Sequence, residues 1–242
     1  MVKTLGIIVQ AHMGSTRLPN KMMKNLCGKP VIAHIIERLQ KSKGADKLII
    51  ATSNLPADDI LVDVCKKCGV GYFRGSDSDV LERFYQASKA YELTHIARVC
   101  ADNTLIDWQI IDREIETYRN NSYDIVTSGQ TVPLGLGCEI FSFELLKEAA
   151  ENATEHYQHE HVTPYLYEHC NNVFKCELAR DCGRFRFTLD TEQDWQLINK
   201  IYGELYCDAH DFVLDDVIRV MNANPAWFDI NKDVKQKKVK ED

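Results

Sequence analysis

Apolar and polar positions along the 242-residue chain fall into two regimes. Up to about residue 130, apolar runs of strand length take turns with longer stretches whose apolar positions recur at helical spacing. "LGIIVQ" is followed by "PVIAHIIERLQKS", "KLIIAT" by "DDILVDVCKKC", "VGYFRG" by "DVLERFYQASKAYE" and "HIARVCA" by "WQIIDREIETYRNN", before a further run, "YDIVTS". This alternation predicts right-handed βαβ units and a mostly parallel sheet covered on both faces. Ligands of such sheets bind beyond the carboxyl ends of the strands, so the loops after "LGIIVQ" and "HIARVCA" are where a site is expected.

Beyond residue 130 the rhythm breaks. "TVPLGLGCEIFS" reads as an extended segment kinked at glycines, followed by a helix near "FELLKEAAENA". In "EHYQHEHVTPYLYEHC", Thr163 and Pro164 have the character of a helix N-cap and first-turn pair. "VFKCELAR" and "RFRFTLD" read as strands, and Thr191 with Asp194 has capping-box spacing for the helix "EQDWQLINKIYGEL". A last helix, "VLDDVIRVMNA", stops at Asn224-Pro225. No repeat or linker divides the chain, so residues 1–230 are expected to form one domain and 231–242 a charged, frayed tail.

Composition narrows the classes. At 45% hydrophobic and 27% charged, the chain can bury a real core and is neither disordered nor fibrous. The net charge of −7 excludes a global basic field for nucleic acid or an anionic membrane, so any bound anion must be held locally. No apolar run reaches the roughly 20 residues of a membrane span, and the start reads as a strand rather than a signal peptide. Nine scattered cysteines argue against a disulfide framework and for a reducing cytoplasm. Cys65 and Cys68 form a CxxC without a second one, on what reads as a helical stripe, which favours packing over metal or redox chemistry.

The chemistry concentrates in "VQAHMGSTRLPNK", directly behind the first strand. Gly14 and Ser15 sit in a turn whose N–H groups can converge on phosphate oxygens, and Arg17 and Lys21 add two cations. A triphosphate is the natural guest, although the loop is neither a P-loop nor a GxGxxG motif. At the other strand end, "VCADNTLID" carries Asp102, and Asp190 follows "RFRFTL". Either acid alone reads as a loop residue or cap. Beside a basic loop, together they suggest Mg²⁺ bridging carboxylate and phosphate.

These segments, with "PVIAHIIERL", "FRGSDSDVLERFYQA", "YDIVTS", "GLGCEIFSFELL", "EHVTPY" and "FTLDTEQDW", resemble the cytidylyltransferase-like proteins of spore-coat polysaccharide biosynthesis, relatives of the CMP-KDO and CMP-sialic acid synthetases. The resemblance runs from about residue 5 to about residue 226. It implies a Rossmann-like three-layer α/β sandwich of the nucleotide-diphosphosugar transferase type. It also implies attack on the α-phosphorus of CTP with release of pyrophosphate, in a cytoplasmic homodimer. By similarity, Ala11, His12, Gly14, Ser15, Arg17, Lys21 and Arg74 would meet the nucleotide, with Arg17, Lys21 and Asp102 catalytic, and Asp102 and Asp190 would hold Mg²⁺. Residues of about 130–180, with Glu139, Glu160 and His161, would line the side of a sugar-type acceptor or a dimer contact. The family loop reads QARMGSTRLP, and here its Arg is His12; the family's TGDCPLID is here "CADNTLID". A neutral His lacks the permanent charge and forked donors of Arg, which implies altered nucleotide contacts or weakened catalysis.

Two other readings stand beside this one. Asp77-Ser78-Asp79 is a DxD, the element with which sugar-transferring enzymes of similar fold hold a metal and a nucleotide diphosphate, though Asp79 can equally serve a helix N-terminus. A degenerate nucleotide-binding protein without turnover would account for His12 and "ADNTLID". The cluster in "EHYQHEH" lacks the spacing of a zinc motif, and His156 and His159 read as surface residues.

Overall fold

The computed structural model of the protein describes residues 3–237. The chain runs β1 (Leu5–Gln10), β2 (Asn25–Leu26), β3 (Lys29–Pro30), α1 (Val31–Leu39), β4 (Lys47–Ser53), α2 (Asp59–Cys68), β5 (Gly71–Gly75) and α3 (Val80–Ala90). Next come β6 (His95–Cys100), α4 (Trp108–Asn120), β7 (Ile125–Ser128), β8 (Glu139–Ser142), α5 (Phe143–Asn152) and α6 (His156–His161). α7 (Pro164–His169), β9 (Val173–Cys176), α8 (Glu192–Leu205) and α9 (Leu214–Ala223) complete it.

The main sheet has the order β5-β4-β1-β6-β8-β7-β9. Only β8 runs against its neighbours, antiparallel to both β6 and β7. The period-2 alternation of each strand sorts side chains between two cores. Ile7, Val9, Ile50, Ala97 and Val99 pack with α1, α2, α4, α8 and α9 on one face. Ile8, Ile49, Ala51 and Ile96 pack with α3, α5 and α7 on the other. The result is the three-layer, mostly parallel α/β sandwich that the alternation predicts.

From β1 the chain steps outward through β4 to the edge at β5, then returns to place β6 on the opposite side of β1. The order of strands therefore reverses at β1 and β6, and the loops leaving their carboxyl ends open a crevice between them.

Three expectations are corrected. "RFRFTLD" is extended but is not a strand of the sheet: Phe187 N–H donates to the Leu134 carbonyl at 2.8 Å and Leu189 N–H to that of Asp102 at 2.8 Å. Its buried alternation, Phe185, Phe187 and Leu189, is spent on the core below the crevice. "VFKCELAR" keeps strand pairing only as far as Cys176. The expected tail is anchored at its start, where Asn231 is only 4% exposed, while residues 232, 233 and 235–237 are exposed; residues 238–242 of the expected tail lie outside the described residues. The capping box at α8 forms as predicted, Thr191 Oγ1 accepting from Asp194 N–H and Asp194 Oδ2 from Thr191 N–H.

Candidate active site

The loop after β1 is fixed from below. Its Met13 N–H donates to Asp58 Oδ1 at 2.7 Å, and Asp58 Oδ2 accepts from Thr52 and Ser53 hydroxyls at 3.0 and 2.6 Å. Burial pushes the Asp58 carboxyl up, but these hydrogen bonds outweigh it and hold it below the usual carboxylate range. The loop then tightens into a short turn at Lys21–Met23, entered through Asn20 in the left-handed region at φ 57°. That turn drives the Lys21 side chain inward, where only 10% of it is exposed.

Lys21 Nζ donates to the Leu189 carbonyl at 2.9 Å and to Asp190 Oδ1 at 3.1 Å. Arg17 Nη2 reaches the same oxygen at 3.3 Å. The other oxygen of Asp190 accepts from Arg186 Nη2 at 2.8 Å and from the Thr188 hydroxyl at 3.1 Å. Burial raises the Asp190 carboxyl, yet Lys21, Arg17 and Arg186 together hold it below its ordinary value. Asp102, at the end of β6, has the opposite balance: burial and the neighbouring Asp190 charge raise it, against the pull of Lys21 and Arg98. Two nearby carboxylates thus lie in one cation field, one saturated and the other under-compensated.

Around them opens a chamber of about 830 Å³, lined by Ala11, His12, Gly14, Ser15, Arg17 and Lys21 on one side and by Glu139, Glu160 and His161 on the other. Burial lowers the His12 imidazole against the pull of Asp58 and Asp77. On the far side, Glu139 pairs with Arg98 Nη1 and accepts from Tyr167 OH at 2.8 Å and from the Thr163 hydroxyl at 3.1 and 3.2 Å. Arg98 is held in turn by Gln10 Oε1, at 3.2 Å from Nε and 2.9 Å from Nη2. Thr163 stands at the N-cap of α7 as predicted, but its hydroxyl serves Glu139 rather than the helix.

A smaller cleft of about 390 Å³ shares Arg98, Cys100, Asp102 and Glu139 with the chamber and extends under residues 127–138. Its wall needs glycine. Gly135 adopts φ +100°, and a Cβ there would stand 2.8 Å from Thr188 N. Behind it, buried Glu114 accepts from Cys138 N–H at 3.0 Å and from the Ser128 hydroxyl at 2.5 Å, and burial pushes its carboxyl up to about 7.

The structure brings together every residue assigned to the site from the sequence except Arg74. Its side chain turns outward to Asp59 at 2.6 Å and to the carbonyls of Ser53 and Leu55 at 3.0 and 2.9 Å, locking β5 onto the start of α2. His159 is also corrected. It is a partner of Asp79, Nδ1 to Oδ2 at 3.0 Å, rather than a free surface residue. Asp79 caps α3 by accepting from Glu82 N–H at 2.9 Å, so the second acid of the DxD is committed within the fold. Sequence reasoning missed Arg83, Arg98 and Arg186, each placed on the chamber or behind it by its fold neighbours. For Arg98 and Arg186 the signal available was a charged residue among apolar neighbours in an extended run, as in "HIARVC" and "RFRFTL"; Arg83, on α3, carried no such signal.

Away from the chamber, His34, Glu37 and His210 form a further group of side chains with metal-binding atoms. His34 Nε2 donates to the Leu26 carbonyl at 2.6 Å, which leaves Nδ1 to accept from His210 Nε2 at 3.1 Å. Lys29 Nζ occupies Glu37 at 2.7 Å, and burial beside Arg38 lowers His210 to about 2. A neutral hydrogen-bonded pair among fixed cations is what these side chains describe.

The chain matches the Cytidylyltransferase family over residues 6–236. It is 40% identical over 246 residues to an uncharacterized protein of Methanocaldococcus jannaschii, covering 99% of each chain. It is 32% identical over 228 residues to the spore coat polysaccharide biosynthesis protein SpsF of Bacillus subtilis, covering 90% of this chain and 94% of that one. Its fold superposes with a TM-score of 0.88 on a cytidylyltransferase from Leptospira borgpetersenii, at 29% identity over 98% of this chain and 100% of the other. The loop after β1, the acid after β6 and the crevice between them therefore sit in a nucleotidyltransferase, and the chain belongs to the cytidylyltransferase family.

Proposed function

We propose that the chain transfers CMP from CTP to a hydroxyl of a sugar acid or a related sugar or polyol, releasing pyrophosphate, in surface-polysaccharide synthesis. The observation that carries this reading is the convergence of Arg17 and Lys21 with Asp102 and Asp190 on one chamber at the switch point of the sheet. The family match and the name of the Bacillus subtilis relative support it. At about 830 Å³ the chamber is in the range of small-molecule sites.

Transfer at phosphorus needs alignment and charge neutralisation rather than a nucleophilic side chain. Arg17 and Lys21 would turn from Asp190 to the phosphates, with Arg186 remaining as the partner of Asp190. Glu139, fixed by Arg98, Tyr167 and Thr163, would orient acceptor hydroxyls by accepting their protons in hydrogen bonds. Mg²⁺ fits the donor set: Asp102 offers a hard oxygen ligand whose charge is under-compensated, and Asp190 would join it once Lys21 and Arg17 turn away. When bound, the ion supplies charge neutralisation at the phosphates.

His12, standing where the family loop carries Arg, with the altered "ADNTLID", favours one second reading, CTP binding without turnover. Pyrophosphate release from each of the four NTPs, with Mg²⁺ and a panel of sugar acids, sugar phosphates and polyol phosphates, separates the two. Release with CTP and one acceptor supports transfer. CTP binding with silence across the panel supports the second reading, and absence of CTP binding refutes both.

A further inference from the structure

Beyond α9 the described chain turns back toward the site as far as Lys237. Asn231 Nδ2 donates to the Arg186 carbonyl at 3.0 Å and to Asp194 Oδ1 at 2.9 Å, pinning the backbone behind the acid network. From that anchor the segment returns over the site: Gln236 and Lys237 both line the main chamber, and Gln236 also lines the cleft under residues 127–138. Gln236 Oε1 accepts from Arg186 Nη1 at 2.7 Å. The Arg186 guanidinium is then held in three directions, with Nε on Asp194 Oδ1 at 3.0 Å and Nη2 on Asp190 Oδ2 at 2.8 Å.

We propose that Gln236, on the segment that Asn231 pins behind the acid network, is a positioning residue at the chamber wall that sets the Asp190 carboxylate through Arg186. The inference rests on the CTP-transfer reading. A guanidinium is a rigid fork whose donors act together, so an acceptor on Nη1 fixes the plane in which Nη2 meets Asp190. Nη2 is shared between Asp190 Oδ2 at 2.8 Å and Asp194 Oδ2 at 3.3 Å, and without the Gln236 acceptor that shared donor would shift toward Asp194, on which Nε already rests at 3.0 Å. Asp190 would then depend on Lys21 and Arg17 for its charge balance, and these are the two cations the triphosphate needs. Loss of Gln236 should therefore weaken CTP binding while leaving the core intact.

The test uses Gln236→Ala, Gln236→Glu and a chain ending at Lys235, each measured by calorimetric CTP binding without Mg²⁺, by pyrophosphate release and by melting temperature. Gln236→Ala and the shortened chain should bind CTP about tenfold more weakly, the scale of one charge-assisted hydrogen bond, at wild-type melting temperature. Gln236→Glu keeps an oxygen acceptor for Nη1 and should restore wild-type affinity. Wild-type affinity in Gln236→Ala, or damage by Gln236→Glu equal to that by Gln236→Ala, overturns the proposal alone. A wild-type chain that binds no CTP overturns the functional reading and this inference with it. If the shortened chain does not fold, the two point variants decide.

Discussion

Replacing Lys21 by Met should produce a stability defect that grows as pH rises. The methionine keeps the length and the buried stem of the side chain, so the perturbation is the ammonium and its two hydrogen bonds, to the Leu189 carbonyl at 2.9 Å and Asp190 Oδ1 at 3.1 Å. At an effective dielectric near 20, a pair at 3.1 Å is worth ~5 kcal/mol before desolvation. Removing the ammonium also removes its burial cost of several kcal/mol, and Asp190 keeps Arg186 at 2.8 Å and Arg17 at 3.3 Å. The net loss expected near neutral pH is therefore about 2–3 kcal/mol, the scale of hydrogen bonds to a charged group.

The pH dependence comes from Asp102. Its carboxyl is already raised above the unfolded value by burial and by Asp190, and Lys21 is the largest opposing influence. A carboxyl raised by folding favours the native state at low pH, and that contribution is lost as pH rises through the folded pKa. Without Lys21 the folded pKa rises further, so protonation of Asp102 relieves the variant in acid and not in alkali. Urea unfolding of both chains between pH 5 and pH 8 measures this. The gap between them should widen toward pH 8, and Asp102→Asn in the Lys21→Met background should remove most of that widening. A gap independent of pH, or one below about 0.5 kcal/mol throughout, refutes the charge balance described for these two acids.

Asp102→Asn in the otherwise native chain should abolish Mg²⁺-dependent pyrophosphate release while preserving or raising stability, read by parallel assay and urea titration. Glu139→Gln should leave CTP affinity within about twofold but lower turnover at limiting acceptor, because it weakens the anchor of Arg98, Tyr167 and Thr163 rather than the phosphate side. Arg74→Ala should cost about 1 kcal/mol of stability with unchanged CTP binding, since its partners are Asp59 and two carbonyls outside the chamber. His210, lowered to about 2, contributes stability that is full above pH ~6.5 and falls with pH below it, at about 1.4 kcal/mol per unit. Glu114, raised to about 7, works in the opposite sense between its ordinary value and 7, so His210→Asn should flatten the acid limb of a stability–pH curve that Glu114→Gln steepens.

The layered fold was legible because strand and helix periodicity are local signals: each run in "LGIIVQ" or "WQIIDREIETYRNN" needs only its own spacing to declare itself. The loop of Gly14, Ser15, Arg17 and Lys21 on the chamber wall was legible for the same reason, being packed into one stretch behind a buried strand. Arg98 was not, because its role depends on β8 inserting against β6 and carrying Glu139 to it, a pairing set by sheet order. Arg74 misled for the converse reason. Its segment resembles a nucleotide loop, but the side chain leaves β5 on the side where Asp59 and the Ser53 and Leu55 carbonyls stand. "RFRFTLD" has a strand's alternation, yet its N–H groups pair with loops instead of a strand.

The same non-local pairing explains why this site can be both charged and buried. Around Asp190 and Asp194 stand Lys21, Arg17 and Arg186, so these two acids are paired within the protein while Asp102 beside them is under-compensated. That pairing has a direction. Arg186 is tied on every side, to Asp190, Asp194 and Gln236, whereas Arg17 keeps a third of its side chain exposed and meets Asp190 through one contact. Arg17 is therefore the first cation able to move to an incoming phosphate, and Lys21 can follow while Arg186 still holds Asp190. On the proposed function, a site ordered in this way would exchange internal ion pairs for substrate contacts while Arg186 keeps Asp190 from being left as an unpaired buried charge.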